Sequence, residues 1–259
     1  MPSWWNAAKH VADGSPIYSE TKYTSAGIFT YPPIFAQLLL PINLLPAHLS
    51  DWIWRLSSLL CLRYLVGSWK ATLVSFAFIP VLIELSINNV TFQLAAALLF
   101  AFRDRRGSYL LPWLVALKFG PLLAVPYLWW RRPDSRRPLL IGSVVFAMAC
   151  AISYVISPSS WAGYIHMMIF QSAANLNGTG VIHLLPSGGG ADFLLRIALA
   201  GVVAMVATFY NRASLVYAAA VITCPVFAIS RLAPLVALVR FRKSPEVKAA
   251  DDTAPEIAS

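Results

Sequence analysis

Between Arg137 and Asp192 the chain contains no Lys, Arg, Asp or Glu. A soluble fold keeps charge on the outer face of its helices, so a run of this kind has few ways of staying in water. Hydrocarbon, or protein packed within it, accommodates the run cheaply. The rest of the chain agrees: 58% of its 259 residues are hydrophobic, 12% are charged, and the mean hydropathy is +0.66. These values exclude an ordinary soluble globular domain. They predict an all-α, polytopic integral membrane protein, placed multi-pass in the cell membrane.

About eight apolar segments follow from the pattern, at 33–50, 51–67, 70–87, 90–102, 108–130, 138–157, 191–210 and 213–239. The expected organisation is an extracytoplasmic head over 1–31, a transmembrane helical domain over 32–243 with an outer loop at 158–190, and a disordered cytoplasmic tail over 244–259. Within the head, residues 7–12 predict a short helix, and Asp13-Gly14-Ser15-Pro16 a turn that stops it. The head carries Trp4, Trp5, Lys9, Asp13, Glu20 and Lys22, and does not read as a signal peptide. It is expected to be wet. Head and body meet at Tyr31-Pro32-Pro33, where Tyr31 is pushed toward extended backbone and Pro33 suits the first position of a helix.

The net charge of +9 sits in short clusters beside apolar spans: Arg103-Asp104-Arg105-Arg106, Arg131-Arg132, Arg136-Arg137 and Arg240-Phe241-Arg242-Lys243. That is the positive-inside pattern, and without an aromatic-interleaved basic surface no nucleic-acid partner is expected. The clusters at 103–106 and 131–137 flank one apolar segment yet belong on one side of a membrane. A simple crossing at 108–130 violates the rule. With Pro112, Gly120, Pro121 and Pro126, that segment instead predicts two half-helices turning back at Lys118-Phe119-Gly120-Pro121. The opposite side then gathers the head, a break at Asn88-Asn89-Val90-Thr91, and the loop with Trp161, Tyr164, His166, Gln171, Asn175 and Asn177.

No phosphate-binding glycine loop, dinucleotide fingerprint or nucleophile elbow is present. Cys61, Cys150 and Cys224 lie apart inside apolar stretches, and His10, His48, His166 and His183 are scattered, so neither a metal nor a cofactor is expected. Polar residues in or beside lipid are then the candidates for chemistry. Lys118 is a point cation at a helix break, able to neutralise a phosphate or simply to snorkel to the interface. Glu84, the acid inside 70–102, suits an ion pair or catalysis. Asn88 and Asn89 suit capping or sugar hydroxyls. Asp13 and Glu20 are the head's carboxylates, hence its candidates for a general base, although Asp13 before Gly14 also suits a turn.

Several stretches together resemble a known family. Trp4-Trp5-Asn6-Ala7-Ala8, Asp13-Gly14-Ser15-Pro16-Ile17-Tyr18, and Phe29-Thr30-Tyr31-Pro32-Pro33 with Pro41 and Leu45-Pro46 resemble the first outer loop and following helix of glycosyltransferase family 87 membrane mannosyltransferases. Pro80-Val81-Leu82 leading to Asn88-Asn89-Val90-Thr91 is similar to the family's proline-containing helix and Gly-Gln-x-Asn break, with Asn88, Asn89 and Thr91 where Gly, Gln and Asn are usual. Lys118-Phe119-Gly120-Pro121 resembles its Lys-x-x-Pro, followed by the Trp/Arg-rich turn Trp129 to Arg132; Ser159-Ser160-Trp161 with Asn175-Leu176-Asn177-Gly178 resembles its late outer loop.

The resemblance implies a GT-C fold, a polyprenyl-phosphate sugar donor, a lipid or glycan acceptor in the cell envelope, and mannose as the sugar. It implies Lys118 at the phosphate, Tyr31 shaping the entrance, and Asn89 and Asn175 on the sugar. It also implies a transmembrane helix and a catalytic acid ahead of the head, falling immediately before Met1, with Asp13 or Glu20 as substitutes within these residues. The expectation is a chain beginning one helix late. A non-catalytic carrier of lipid-linked sugar, or a partner subunit, stands as the alternative because broken helices with polar groups at mid-depth are also transporter features.

Overall fold

The computed structural model describes residues 3–18, 29–87, 89–168, 189–222 and 229–242. Among the described residues every regular element is a helix. The head forms α1 (Ser3–Ala12). After the proline corner come α2 (Pro33–Leu38), a 3-10 turn at Leu40–Leu44, α3 (Ala47–Val66), α4 (Trp69–Ser75), α5 (Ile79–Ser86) and α6 (Thr91–Arg103). A 3-10 turn at Arg105–Leu110 leads to α7 (Leu111–Leu117), and another at Gly120–Ala124 leads to α8 (Val125–Trp130). The long α9 (Arg136–Ile156) precedes α10 (Pro158–His166), α11 (Gly189–Phe209) and α12 (Ala213–Ile222). A 3-10 segment, Ile229–Ala237, and α13 (Leu238–Arg242) close the described chain.

α6 is the hub. Its sequence, TFQLAAALLFAFR, is apolar on every side, and a helix of that kind must be surrounded. Phe92, Leu94, Ala95, Leu98, Leu99, Ala101 and Phe102 are all buried. Leu62 and Leu65 of α3, Leu128 of α8, and Val216 and Tyr217 of α12 complete the core around it. Gln93 ties α6 to α3, its amide donating to Ser57 Oγ and Ser58 Oγ, both at 2.9 Å.

The segment from Arg105 to Trp130 leaves the C-terminal end of α6 and comes back to it. Its outward limb ends at Lys118, whose Nζ donates to Thr91 Oγ1 at the N-terminal end of α6 (3.0 Å). Its return limb places the Tyr127 ring 5.4 Å from that of Phe102, and Arg132 Nη1 donates to the Phe102 carbonyl at 2.7 Å. The turn lies at Lys118, in extended backbone (φ −153°, ψ 135°). A continuous helix would drive the Pro121 ring into the carbonyl four residues earlier. The arginines of this end meet helix C-termini, where carbonyls lack intrahelical donors. Arg131 donates to Thr208 (2.8 Å) and Phe209 carbonyls of α11, and Arg136 to that of Trp129 (2.7 Å). The clusters at 103–106 and 131–137 therefore share one end of the molecule.

Four sequence-based boundaries are corrected. The division expected between residues 50 and 51 is absent, because Asp51 pairs with Arg55 one turn on (2.8 Å) and α3 continues through it. The segment 70–87 is bent by 92° between α4 and α5, since Pro80 can sit in the first turn of α5 but not inside a longer helix. The expected loop at 158–190 begins as a helix, with Pro158 preset at the first position of α10. The head is only partly wet: Trp4, Ile17 and Phe29 are buried, with Trp4 stacked on Trp54 of α3 at 4.6 Å. The tail lies outside the described residues. Among the described residues one stretch, Pro133–Ile156, is long and apolar enough to cross a membrane, and α4 with α5 passes the same test as a bent pair.

Candidate functional site

At the N-terminal end of α6, side chains from the head, the break before that helix and the Lys118 turn line up as two adjacent hydrogen-bonded groups. Tyr18 Oη donates to the Tyr31 carbonyl at 2.6 Å. Tyr31 Oη in turn donates to Asn89 Oδ1 at 3.3 Å. Asn89 Oδ1 also accepts the Val90 N–H at 2.8 Å, which fixes the turn into α6. Thr91, the first residue of that helix, is buried and receives the Lys118 ammonium.

Local sequence explains how each group is held. Pro32 (φ −53°, ψ 149°) keeps the chain extended, and Pro33 opens α2, as the proline pair predicts. This leaves Tyr31 outside the helix, facing the break. Lys118 closes α7 through its N–H to the Leu114 carbonyl (2.9 Å), so its backbone lies at the negative end of one helix. Its side-chain head reaches the positive end of another, α6. Ammonium and helix terminus thus add positive potential at one point, an arrangement suited to an anionic group.

Aromatic rings border this line. Tyr18 lies 5.8 Å from Tyr164 of α10 and 6.2 Å from Phe29, whose ring meets Tyr31 edge-on at 5.3 Å. Burial, with Tyr164 as a lesser influence, holds the Tyr18 phenol far above the ordinary tyrosine range. It stays protonated and donates. Trp161 packs edge-on against Tyr164 at 6.0 Å and donates to Ser153 Oγ at 2.9 Å. Head, break and the start of the 158–190 segment therefore converge as the polar pattern predicts, with Trp161 and Tyr164 on a helix rather than in a loop.

Tyr31, Asn89 and Lys118 are brought together. Asp13 is exposed in the turn that ends α1, its N–H on the Lys9 carbonyl (2.9 Å) and Gly14 beyond it at φ +67°. Glu20, Asn88 and Asn175 lie outside the described residues. Glu84 is buried on α5. Two members of the line, Thr91 and Tyr18, were not singled out as ligating groups from the sequence. A threonine at the first position of a helix facing a proline-broken lysine was the available signal for the first.

Comparison with curated proteins and with solved structures gives no match. A family model does match, that of glycosyltransferase family 87, over residues 29–250. The match takes in Tyr31, Asn89, Thr91, Lys118 and Asn175, whereas Asp13 and Glu20 precede it. With most of its length covered, including the described line from Tyr31 to Lys118, the chain belongs to glycosyltransferase family 87.

Proposed function

We propose that this protein is a multi-pass membrane mannosyltransferase of the GT-C type, moving a mannosyl group from a polyprenyl-phosphate donor to a lipid or glycan acceptor on the extracytoplasmic side of the cell membrane. The observation that carries the reading is the Lys118 ammonium held on Thr91 at the positive end of α6, beside Tyr31 and Asn89. A departing phosphate needs positive charge fixed before the reaction begins. Lys118 and the α6 terminus supply it, while Asn89, with Asn175, offers amides to sugar hydroxyls and Tyr31 forms the entrance.

In the reaction a carboxylate takes the proton of the acceptor hydroxyl, whose oxygen bonds to the anomeric carbon. The bond from that carbon to the phosphate oxygen breaks, and its electron pair leaves with polyprenyl phosphate. Within these residues Asp13 or Glu20 is the substitute base. Membrane placement is supported by an outer surface rich in exposed apolar side chains, among them Trp52 and Leu56 of α3, Leu73 and Val74 of α4, Val144 and Met148 of α9, and Val202 and Val206 of α11.

Transfer of radiolabelled mannose from polyprenyl-phosphate mannose, measured in membranes expressing the chain, tests the reading. Lys118→Ala should abolish transfer while the protein remains membrane-inserted; undiminished transfer removes Lys118 from the site. Asp13→Asn and Glu20→Gln, assayed in parallel, should show one loss of transfer, at whichever carboxylate is the base; transfer kept by both removes both residues from that role. Tight donor binding without any transfer, in the unaltered chain, would favour the carrier.

A further inference from the structure

The opposite end of α6 holds a second cationic cluster that the transfer reaction does not use. Thr91 and Arg103 are the two ends of that helix, separated by about 18 Å at 1.5 Å per residue. At the Arg103 end, α3 finishes on Gly67, whose φ of +88° and N–H to the Arg63 carbonyl (3.0 Å) turn the chain sharply. The missing side chain makes room for Arg240 of α13: a Cβ on Gly67 would stand 2.7 Å from an Arg240 Nη and 2.9 Å from its Cδ. Arg240 in turn lies over the Tyr64 ring at 5.9 Å, and Arg63 over the Trp69 ring at 5.6 Å. Arg103, exposed at the helix end, lies within electrostatic reach of Arg240 and Tyr64.

Among the described residues no ion pair offsets this group. Asp104, also in reach of Tyr64, accepts the Arg106 N–H at 2.8 Å. The described ion pairs are Arg55 with Asp51 and Arg132 with Asp134, so none involves Arg63, Arg103 or Arg240. Moreover, the Nε atoms of both Arg63 and Arg240 are buried without an acceptor among the described residues. A buried guanidinium N–H left unpaired is costly, and a neighbouring guanidinium cannot satisfy it. Burial, then the charges of Arg103 and Arg63, draw the Arg240 pKa below the usual arginine value. Three other arginines of this end differ, since Arg131, Arg132 and Arg136 are taken up by helix carbonyls.

We propose that Arg63 and Arg240, which meet at Gly67, form with Arg103 at the end of α6 a binding site for a phosphate group, separate from the Lys118 site. A phosphate supplies acceptor oxygens for both orphaned Nε donors and the negative charge that three arginines lack, and the guanidinium fork matches its geometry. Two sources share that chemistry: the phosphodiester of an anionic lipid, and free inorganic phosphate. The aromatic partners Tyr64 and Trp69, the latter exposed, hold the guanidiniums at the edge of the apolar surface, where either source can arrive.

Native mass spectrometry of the full chain in detergent, titrated with phosphatidylglycerol, phosphatidylcholine or inorganic phosphate, tests this. The unaltered protein should retain phosphatidylglycerol over phosphatidylcholine. The Arg63→Gln/Arg240→Gln double variant should bind it roughly thirtyfold more weakly, at about a fivefold loss per arginine. Arg106→Gln, outside the cluster, should change nothing. If inorganic phosphate binds and displaces the lipid, the site reads phosphate itself; if only the lipid binds, it reads a headgroup in its membrane setting. Should the double variant not fold, Arg103→Gln, at an exposed position, should still weaken binding about fivefold by the same per-arginine figure. Equal phosphatidylglycerol retention by the unaltered chain and the folded cluster variant overturns the proposal. Because transfer is not the readout, failure here and failure of the Lys118 assignment are told apart.

Discussion

Thr91 is the residue on which the Lys118 position depends. A lysine side chain has four carbons of freedom, and an ammonium at a helix break would sample several directions unless an acceptor held it. Thr91 Oγ1 is that acceptor, 27 positions away in sequence. It acts through Lys118 and is a positioning residue. Removing a hydrogen bond to a charged group costs about 1.5–3 kcal/mol, so Thr91→Val, nearly equal in volume, should lower kcat for the proposed glycosyl transfer roughly ten- to hundredfold. Thr91→Ser should restore most of it, which a merely structural role for the methyl group would not allow; equal loss in both variants argues against the assignment. Tyr31, Asn89 and Lys118 were legible as candidates because each is polar at a break in an apolar pattern. Thr91 and Tyr18 were not, since their roles arise from partners 27 and 13 positions distant that no local pattern records.

Among the elements, α9 and the 3-10 turn before α7 approach each other closely. Gly142 of α9 lies so near the Tyr109 backbone that a Cβ would stand 2.4 Å from the Tyr109 oxygen, whereas one on Gly201 of α11 would meet nothing within 4 Å. The two glycines therefore predict opposite signs. Gly142→Ala forces backbone apart and should destabilise by about 1–3 kcal/mol. Gly201→Ala, inside a helix with space around it, should stabilise by up to about 1 kcal/mol through helix propensity. Thermal unfolding of the purified variants in one detergent checks both, and a Gly142→Ala variant that is not destabilised would mean that α9 does not pack on that turn. At this scale the sequence was readable where proline sits deep in an apolar run, as at Lys118-Phe119-Gly120-Pro121. It misled where a charge fell inside a helix, as at Asp51, or where proline opened one, as at Pro158. Position within the turn, not residue type, decides what a proline does.

For the whole molecule, the return of the 105–130 segment settles how the charge is distributed. A single crossing there would put Arg103–Arg106 and Arg131–Arg137 on opposite faces of a bilayer, against the bias that orients membrane proteins. The hairpin removes the conflict, because both clusters meet at the Phe102 end of α6 while Lys118 reaches the Thr91 end. The catalytic proposal requires those ends to face opposite compartments, and that can be measured. In a chain whose native cysteines are replaced by serine, Arg105→Cys and Asp134→Cys, both at exposed positions, should react with an impermeant maleimide only from the cytoplasmic face. Ser86→Cys, exposed at the end of α5 that leads into the break, should react only from the outer face. Labelling of Arg105→Cys and Asp134→Cys from different faces would mean that the segment crosses after all. Labelling of Ser86→Cys from the same face as the arginine positions would place Lys118 on the cytoplasmic side, where an extracytoplasmic acceptor could not reach it.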